Sequence, residues 1–407
     1  MADDRESPLQ RASLAATVAA RVPGFDRVRY PDWEALLFRI AADAPPGTAL
    51  VIDEFPSLVR AAPELPSLLQ KLLDRRPRPR LHLLLAGSSQ RLMQGLVLDR
   101  TAPLFGRTDL LLPVGPLPAG WISRALALKD PADAVEAYSV WGGLPRYREL
   151  AADYEDLDSA VQQAVLSPLG VLHDEPRTLL LDDLRDTVQA ASLRSLVARG
   201  CHRLSEIAAR VEKPATSLVR PLRRLIEMGF VRRAVPFGST IRDTKRTLYV
   251  VADPFLRFWF RYVEPAWSRL ESRQVASVAA DIRKTFAQHV GGVWEDLARQ
   301  SVAHLTAFGH RWQPASRWWG TGLDRQPMEI DVVAESEDGR ALLVGEARWS
   351  RTAGDSRVAG DLRHKVDRLP LARGRTVHLA AWVPKALGGR HTDVGVFTPA
   401  HVLKVLR

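Results

Sequence analysis

Four apolar residues, Ala49 to Ile52, run straight into Asp53 and Glu54, and Phe55-Pro56 stops the run. A short run without polar alternation predicts a strand buried on both faces, as in a parallel sheet with helices above and below. Acids at the carboxyl end of such a strand lie at the mouth of the sheet, where open α/β sheets bind ligands. A second run, Leu81 to Ala86, ends in Gly87-Ser88-Ser89, and between the two the leucines of Leu65 to Leu73 recur at helical spacing. Strand, helix, strand is the unit of a right-handed parallel crossover. Upstream, Trp33, Leu36, Leu37 and Ile40 mark one face of another helix. In a phosphate-handling sheet Asp53 would hold a magnesium shell, Glu54 would orient a water and Ser88 would sense a γ-phosphate. Ser88 equally suits a helix cap, and Arg107, after Phe105-Gly106, suits either a phosphate partner or an ordinary surface arginine.

At 407 residues the chain is too long for one core and predicts two to four domains. Its single cysteine, Cys201, excludes a disulfide within the chain and a Cys-based zinc site. No run is long enough to span a membrane, and the charged start MADDRESPLQ lacks the apolar core of a signal peptide. These features point to a cytoplasmic protein without a membrane partner. Net charge is +10, and residues 191 to 250 hold 13 Lys or Arg against 4 Asp or Glu, so +9 is concentrated there. A basic excess in one segment indicates a polyanion partner.

That segment reads as three short helices and a hairpin. Ser217 to Met228 is the third helix, with Leu218, Leu222, Leu225 and Ile226 inward and Gly229 at its end. Arg220, Arg223 and Arg224 lie off that stripe, and Arg242, Lys245 and Arg246 fall at the hairpin tip. Helix, helix, helix, wing is the helix-turn-helix variant whose third helix enters a major groove, with basic residues where phosphates would be. A winged helix that binds protein instead remains the alternative.

The last segment carries carboxylate chemistry. Met328 to Ala334 alternates around Asp331, Ser336 to Gly339 is a turn, and Ala341 to Arg348 is the return strand. Glu346 and Arg348 share one face of it, and the hairpin can set them beside Asp331. Two converging carboxylates bind magnesium, and a nearby cation can position the attacking water.

LVIDEFPSLV, LLLAGSS, APLFGR and WGGLPRY, in this order, resemble archaeal and bacterial ATPases of the AAA-related P-loop class with a C-terminal domain of uncertain function. The resemblance spans nearly the whole chain. It implies ATP as cofactor, with Asp53 and Glu54 as the Walker B pair, Ser88 as sensor and Arg107 near the nucleotide. No G-x-x-x-x-G-K-[ST] occurs, so the phosphate cradle is missing and strong ATP hydrolysis is not expected. The C-terminal hairpin resembles the PD-(D/E)xK nuclease core, implying Asp331 and Glu346 as Mg2+ ligands and Glu295 as a helix acid. Here Glu-Ala-Arg replaces Glu-x-Lys. Arg348 can stabilise charge but cannot act as a base; some members of this fold carry the lysine on a neighbouring helix, and Lys365 in Asp361 to Leu369 is the candidate for it.

The fold expected is an α/β multidomain chain. A truncated P-loop-type parallel α/β sheet (1–120) leads into a helical lid (121–170), a winged helix (185–252) and an α/β restriction-endonuclease-like domain (253–407). The function expected is a DNA-binding ATPase-family protein with a nuclease-like domain, taking double-stranded DNA and open to homo-oligomer formation. The alternative is a non-catalytic DNA-binding regulator or assembly protein with both centres decayed.

Overall fold

A computed structural model describes residues 5–77, 80–88, 90–177, 187–198, 200–240, 246–351, 357–385 and 393–407. The chain forms two compact units, Met1–Val114 and Gly115–Arg407. The first nearly coincides with the expected sheet segment, and the lid, winged helix and C-terminal segment all fall in the second.

In the first unit, helices Ser7–Ala19 and Trp33–Asp43 precede strand β1 (Thr48–Ile52). Helices Phe55–Ala61 and Leu65–Leu73 lead to β2 (Leu81–Leu85), and Gln90–Val97 follows. Asp32 caps the second helix by accepting from Ala35 N at 2.7 Å, which frees Trp33, Leu36, Leu37 and Ile40 to fill the core. β1 and β2 pair in parallel from Thr48↔Leu81 to Ile52↔Leu85, the crossover predicted. The expectation of burial on both faces fails. Leu50 and Ile52 are buried, whereas Val51 is 56% exposed and Leu84 49%. Helices cover one face of this two-stranded sheet, so alternate residues of an apolar run meet solvent.

The second unit begins with helices, including Pro131–Trp141 and Pro145–Ala152. The Gly142-Gly143 turn between them is a close approach, since a Cβ at Gly143 would lie 2.6 Å from Leu117 O. Buried Arg148 ties the turn by donating to Gly142 O at 3.1 Å and Leu117 O at 3.3 Å. Helices Thr187–Ala198, Leu204–Arg210 and Ala215–Glu227 pack around Leu218, Leu222 and Leu225. They precede the antiparallel strands β3 (Val231–Ala234) and β4 (Leu248–Val251). Phe255, Phe258 and Trp259 then enter the core, and the Trp259 indole donates to His173 O at 2.7 Å.

After helix Val275–Val302 come the short strands β5 (Thr306–Ala307) and β6 (His310–Arg311). A five-stranded sheet follows, built from β7 (Ser316–Thr321), β8 (Pro327–Glu335), β9 (Ala341–Ala347), β10 (Thr376–Trp382) and β11 (Val394–Phe397). Its order is β11-β10-β9-β8-β7, antiparallel from β7 to β9 and parallel from β9 to β11. Leu343 and Ala347 face one core with Val293 and Leu297 of the long helix. Leu342 and Val344 face another, with Val358 and Leu362 of helix Arg357–Arg368. Every residue of β9 is buried, the two-sided cover that β1 lacks.

Candidate active site

Alternation in β9 puts Glu346 on the same face as Leu342 and Val344, toward helix Arg357–Arg368. The β8–β9 register runs from Glu335↔Leu342 to Val332↔Gly345, which leaves Asp331 and Glu346 as the next residues of the two strands. Gly345 is required beside it, because a Cβ there would lie 2.4 Å from the Trp382 ring. The expected regular alternation around Asp331 does not hold. Ser316 pairs with Val333 but Trp318 with Ile330, so β8 has one extra residue at Asp331-Val332. A bulge of this kind re-aims a side chain and frees a backbone carbonyl. Arg299 of the long helix satisfies the Asp331 carbonyl at 2.8 Å, and Asp331 Oδ2 accepts from Ala347 N at 3.0 Å.

Lys365 reaches Glu346 from the facing helix, its Nζ donating to Oε1 at 2.5 Å. Arg348 meets the other oxygen at 3.4 Å and is half exposed. Glu346 is only 1% exposed. Burial first, and then Asp331, push its carboxyl up to about 7 against the pull of Lys365 and Arg348. Glu295, on the long helix, is pushed up to about 7 by the same two causes in the same order, opposed by Arg299 and Arg317. Asp331 thus stands electrostatically between the buried Glu346 and the half-buried Glu295. The motif residues Asp331, Glu346, Arg348 and Lys365 are brought together, and Glu295 joins them.

Among the described residues no three His, Cys, Asp or Glu side chains are grouped so as to hold a metal ion by themselves. Two carboxylates completed by water and substrate phosphate are nonetheless a donor set that suits Mg2+, which rarely takes an all-protein cage. Asp331 and Glu346 are the residues that would hold it.

Sequence reasoning missed Asp296. Arg232, Arg257 and Arg299 each donate to it at 2.5 Å. Burial alone would raise its carboxyl, but the three guanidiniums reverse that and hold it far below the usual carboxylate range. Its three cations come from positions as far as 64 residues away, so no local pattern announced it.

In the first unit, Asp53 and Glu54 do end β1, and Ser88 Oγ donates to Glu54 Oε2 at 3.3 Å, so this trio also meets. Glu54 takes a left-handed backbone, φ 53°, as the chain turns into the next helix. Arg107 does not join them. It forks onto Asp74 at 3.0 and 2.7 Å and also donates to Pro103 O and Phe105 O. Its fork geometry closes a loop there.

Arg220 and Arg223 are exposed on the helix face away from the core, and Arg224 is half-buried. Arg242 and Lys245 lie outside the described residues. The segment after β3 meets β7. Phe237 N donates to Arg317 O at 2.9 Å and Arg246 to Trp319 O at 3.2 Å, so the base of the hairpin lies along β7. Arg246 is exposed and meets Trp319 O and the Ser239 hydroxyl within the chain.

Residues 259–359 match the family model DUF234, described as archaeal and bacterial proteins of unknown function. That span includes Glu295, Asp331, Glu346 and Arg348. The uncharacterized protein MJECL04 of Methanocaldococcus jannaschii is 27% identical over 328 residues, 78% of this chain and 70% of its own. Among solved structures, Aeropyrum pernix ORC2, in ADPNP-ADP complexes, aligns with a TM-score of 0.41 and 13% identity over 65% of this chain and 76% of its own. A Thermotoga maritima RuvB variant aligns with a TM-score of 0.27 and 20% identity over 59% of this chain and 80% of its own. Both scores are below the level at which a shared fold follows. No helix among the described residues is long and apolar enough to cross a membrane.

Proposed function

We propose that this protein is a Mg2+-dependent DNA endonuclease whose centre is Asp331, Glu346, Lys365 and Glu295. The observation that carries the reading is the Lys365 contact with Glu346 across two elements. It returns a titratable cation to a motif in which Arg348 stands where lysine is expected. Asp331 and Glu346 would hold the ion, which supplies charge stabilisation and a more acidic bound water. Lys365 orients the attacking water and can exchange a proton, whereas Arg348 neutralises charge on the phosphate. Glu295, held near neutrality by burial and by Asp331, can accept or release a proton at pH 7. Duplex is gripped by the exposed Arg220 and Arg223. The first unit keeps Asp53, Glu54 and Ser88 together, and no G-x-x-x-x-G-K-[ST] run to cradle ATP occurs among the 407 residues.

Supercoiled plasmid incubated with the purified chain in Mg2+ or Mn2+ tests this. Nicking is expected, lost in Asp331→Asn and reduced about a hundredfold in Lys365→Met. Full cleavage by Asp331→Asn would overturn it. Salt-sensitive DNA binding without cleavage by the wild-type protein would favour the non-catalytic regulator.

A further inference from the structure

The second unit contains a cleft of about 1090 Å³ bounded by the wing strands, the long helix and the start of β7. Its lining is cationic beyond what its acids neutralise. Arg232, Arg257 and Arg299 share the carboxylate of Asp296, and Arg299 also lies 3.8 Å from Glu295, so three guanidiniums face two carboxylates and a positive charge is left in excess at that point. Arg233 lines the same cleft, and its Nε is buried without a hydrogen-bond partner. Arg261 lines it too, donating to the neutral Gln288 at 2.6 Å. A buried guanidinium N–H left unpaired is costly and rare, and a phosphate oxygen is the acceptor it fits best. Arg299, part of the lining, donates to the Asp331 carbonyl at 2.8 Å, so the cleft ends beside the backbone of Asp331.

We infer that this cleft binds the phosphodiester backbone of a single strand of nucleic acid and leads it to Asp331 and Glu346. The inference rests on the nuclease reading for its destination but not for its binding. A recessed, arginine-lined path suits an unpaired strand, whose backbone can thread it; a duplex needs an open face such as that bearing Arg220 and Arg223. Two nucleic-acid contacts then divide the work, duplex on the helix face and a frayed or unpaired strand in the cleft.

The test is fluorescence anisotropy of a labelled short oligothymidylate with the full chain in EDTA, where no cleavage interferes. Arg233→Gln with Arg261→Gln is expected to weaken binding about a hundredfold and to flatten the salt dependence by roughly 0.7 in log K per log salt for each charge removed. Arg220→Gln with Arg223→Gln should leave this binding in place and weaken duplex binding instead. Because Arg233 is partly buried, Arg261→Glu is measured alone as well; Arg261 is exposed, and its reversal should cost at least tenfold. Oligothymidylate binding that is indifferent to Arg261→Glu overturns the inference. So does full competition by free ATP at equal phosphate concentration, which would make the cleft a mononucleotide site. Binding that depends on Arg233 and Arg261 and survives Asp331→Asn supports the cleft even where plasmid cleavage is absent, so the two readings fail separately.

Discussion

Two strands of this protein end in acids after an apolar run, and they come to different ends. β1 delivers Asp53 and Glu54 to a two-stranded sheet with Val51 and Leu84 facing solvent. β9 delivers Glu346 from a strand buried along its whole length. At β1 the acids are half-buried, and Glu54 meets the hydroxyl of Ser88. At β9 burial removes the acid from water, a neighbouring carboxylate raises it further, and a lysine from another element answers it. What separates the two sites is cover, since burial is what turns a carboxylate into a group that exchanges protons near neutrality.

The largest effect that sharpens the comparison is at Asp296. Asp296→Asn leaves three guanidiniums sharing a neutral partner, and breaking a buried ion cluster in this way should cost about 3–5 kcal/mol in denaturant unfolding of the second unit. Asp74→Asn in the first unit removes the exposed partner of Arg107 and should barely move its transition. Equal effects would break the distinction between covered and open charge.

Acid should act next, again on the covered unit. His289 is buried, donates to Ser139 O at 2.9 Å, and is pushed down to about 4, first by desolvation and then by Arg261 and Arg257. Its folded value lies below its unfolded one, so between them the unfolded chain holds the proton and the folded chain does not. The His289 contribution to stability is therefore complete above pH ~6.5 and is lost toward pH ~4, by about 3 kcal/mol at ~1.4 kcal/mol per unit. Glu295 and Glu346, raised to about 7, take up protons in the folded chain and oppose it over the same range. Urea titrations of the wild type and His289→Gln should therefore diverge across that range, the variant gaining relative stability toward pH ~4. An unchanged slope in that variant would assign the acid sensitivity elsewhere.

The smallest effect is expected on the open face. Val51→Thr with Leu84→Thr should change stability by less than ~0.5 kcal/mol, because neither side chain leaves a core, and should reduce light scattering at high concentration. A loss of ~2 kcal/mol or more would mean that this face is covered in solution.

Much of this was legible in the sequence. The alternation of Leu342, Val344 and Glu346 sets the face of the acid, and the Ser336–Gly339 turn brings Asp331 back toward it. The bulge at Asp331 was not legible, because Met328 to Ala334 reads as an ordinary strand and only the pairing with Ser316 and Trp318 shows the extra residue. The burial of Asp296 was equally hidden on a helix whose spacing shows only which residues face inward.

The sequence by itself determined local matters: which runs are strands or helices, where they turn, and which acids and cations sit near their ends. Those depend on backbone preference and side-chain period over a few residues. The tertiary structure decided which acids are buried, which arginines share one carboxylate, and that the segment between β3 and β4 meets β7. Those depend on low dielectric and on partners dozens of positions away, which only packing brings within hydrogen-bond reach.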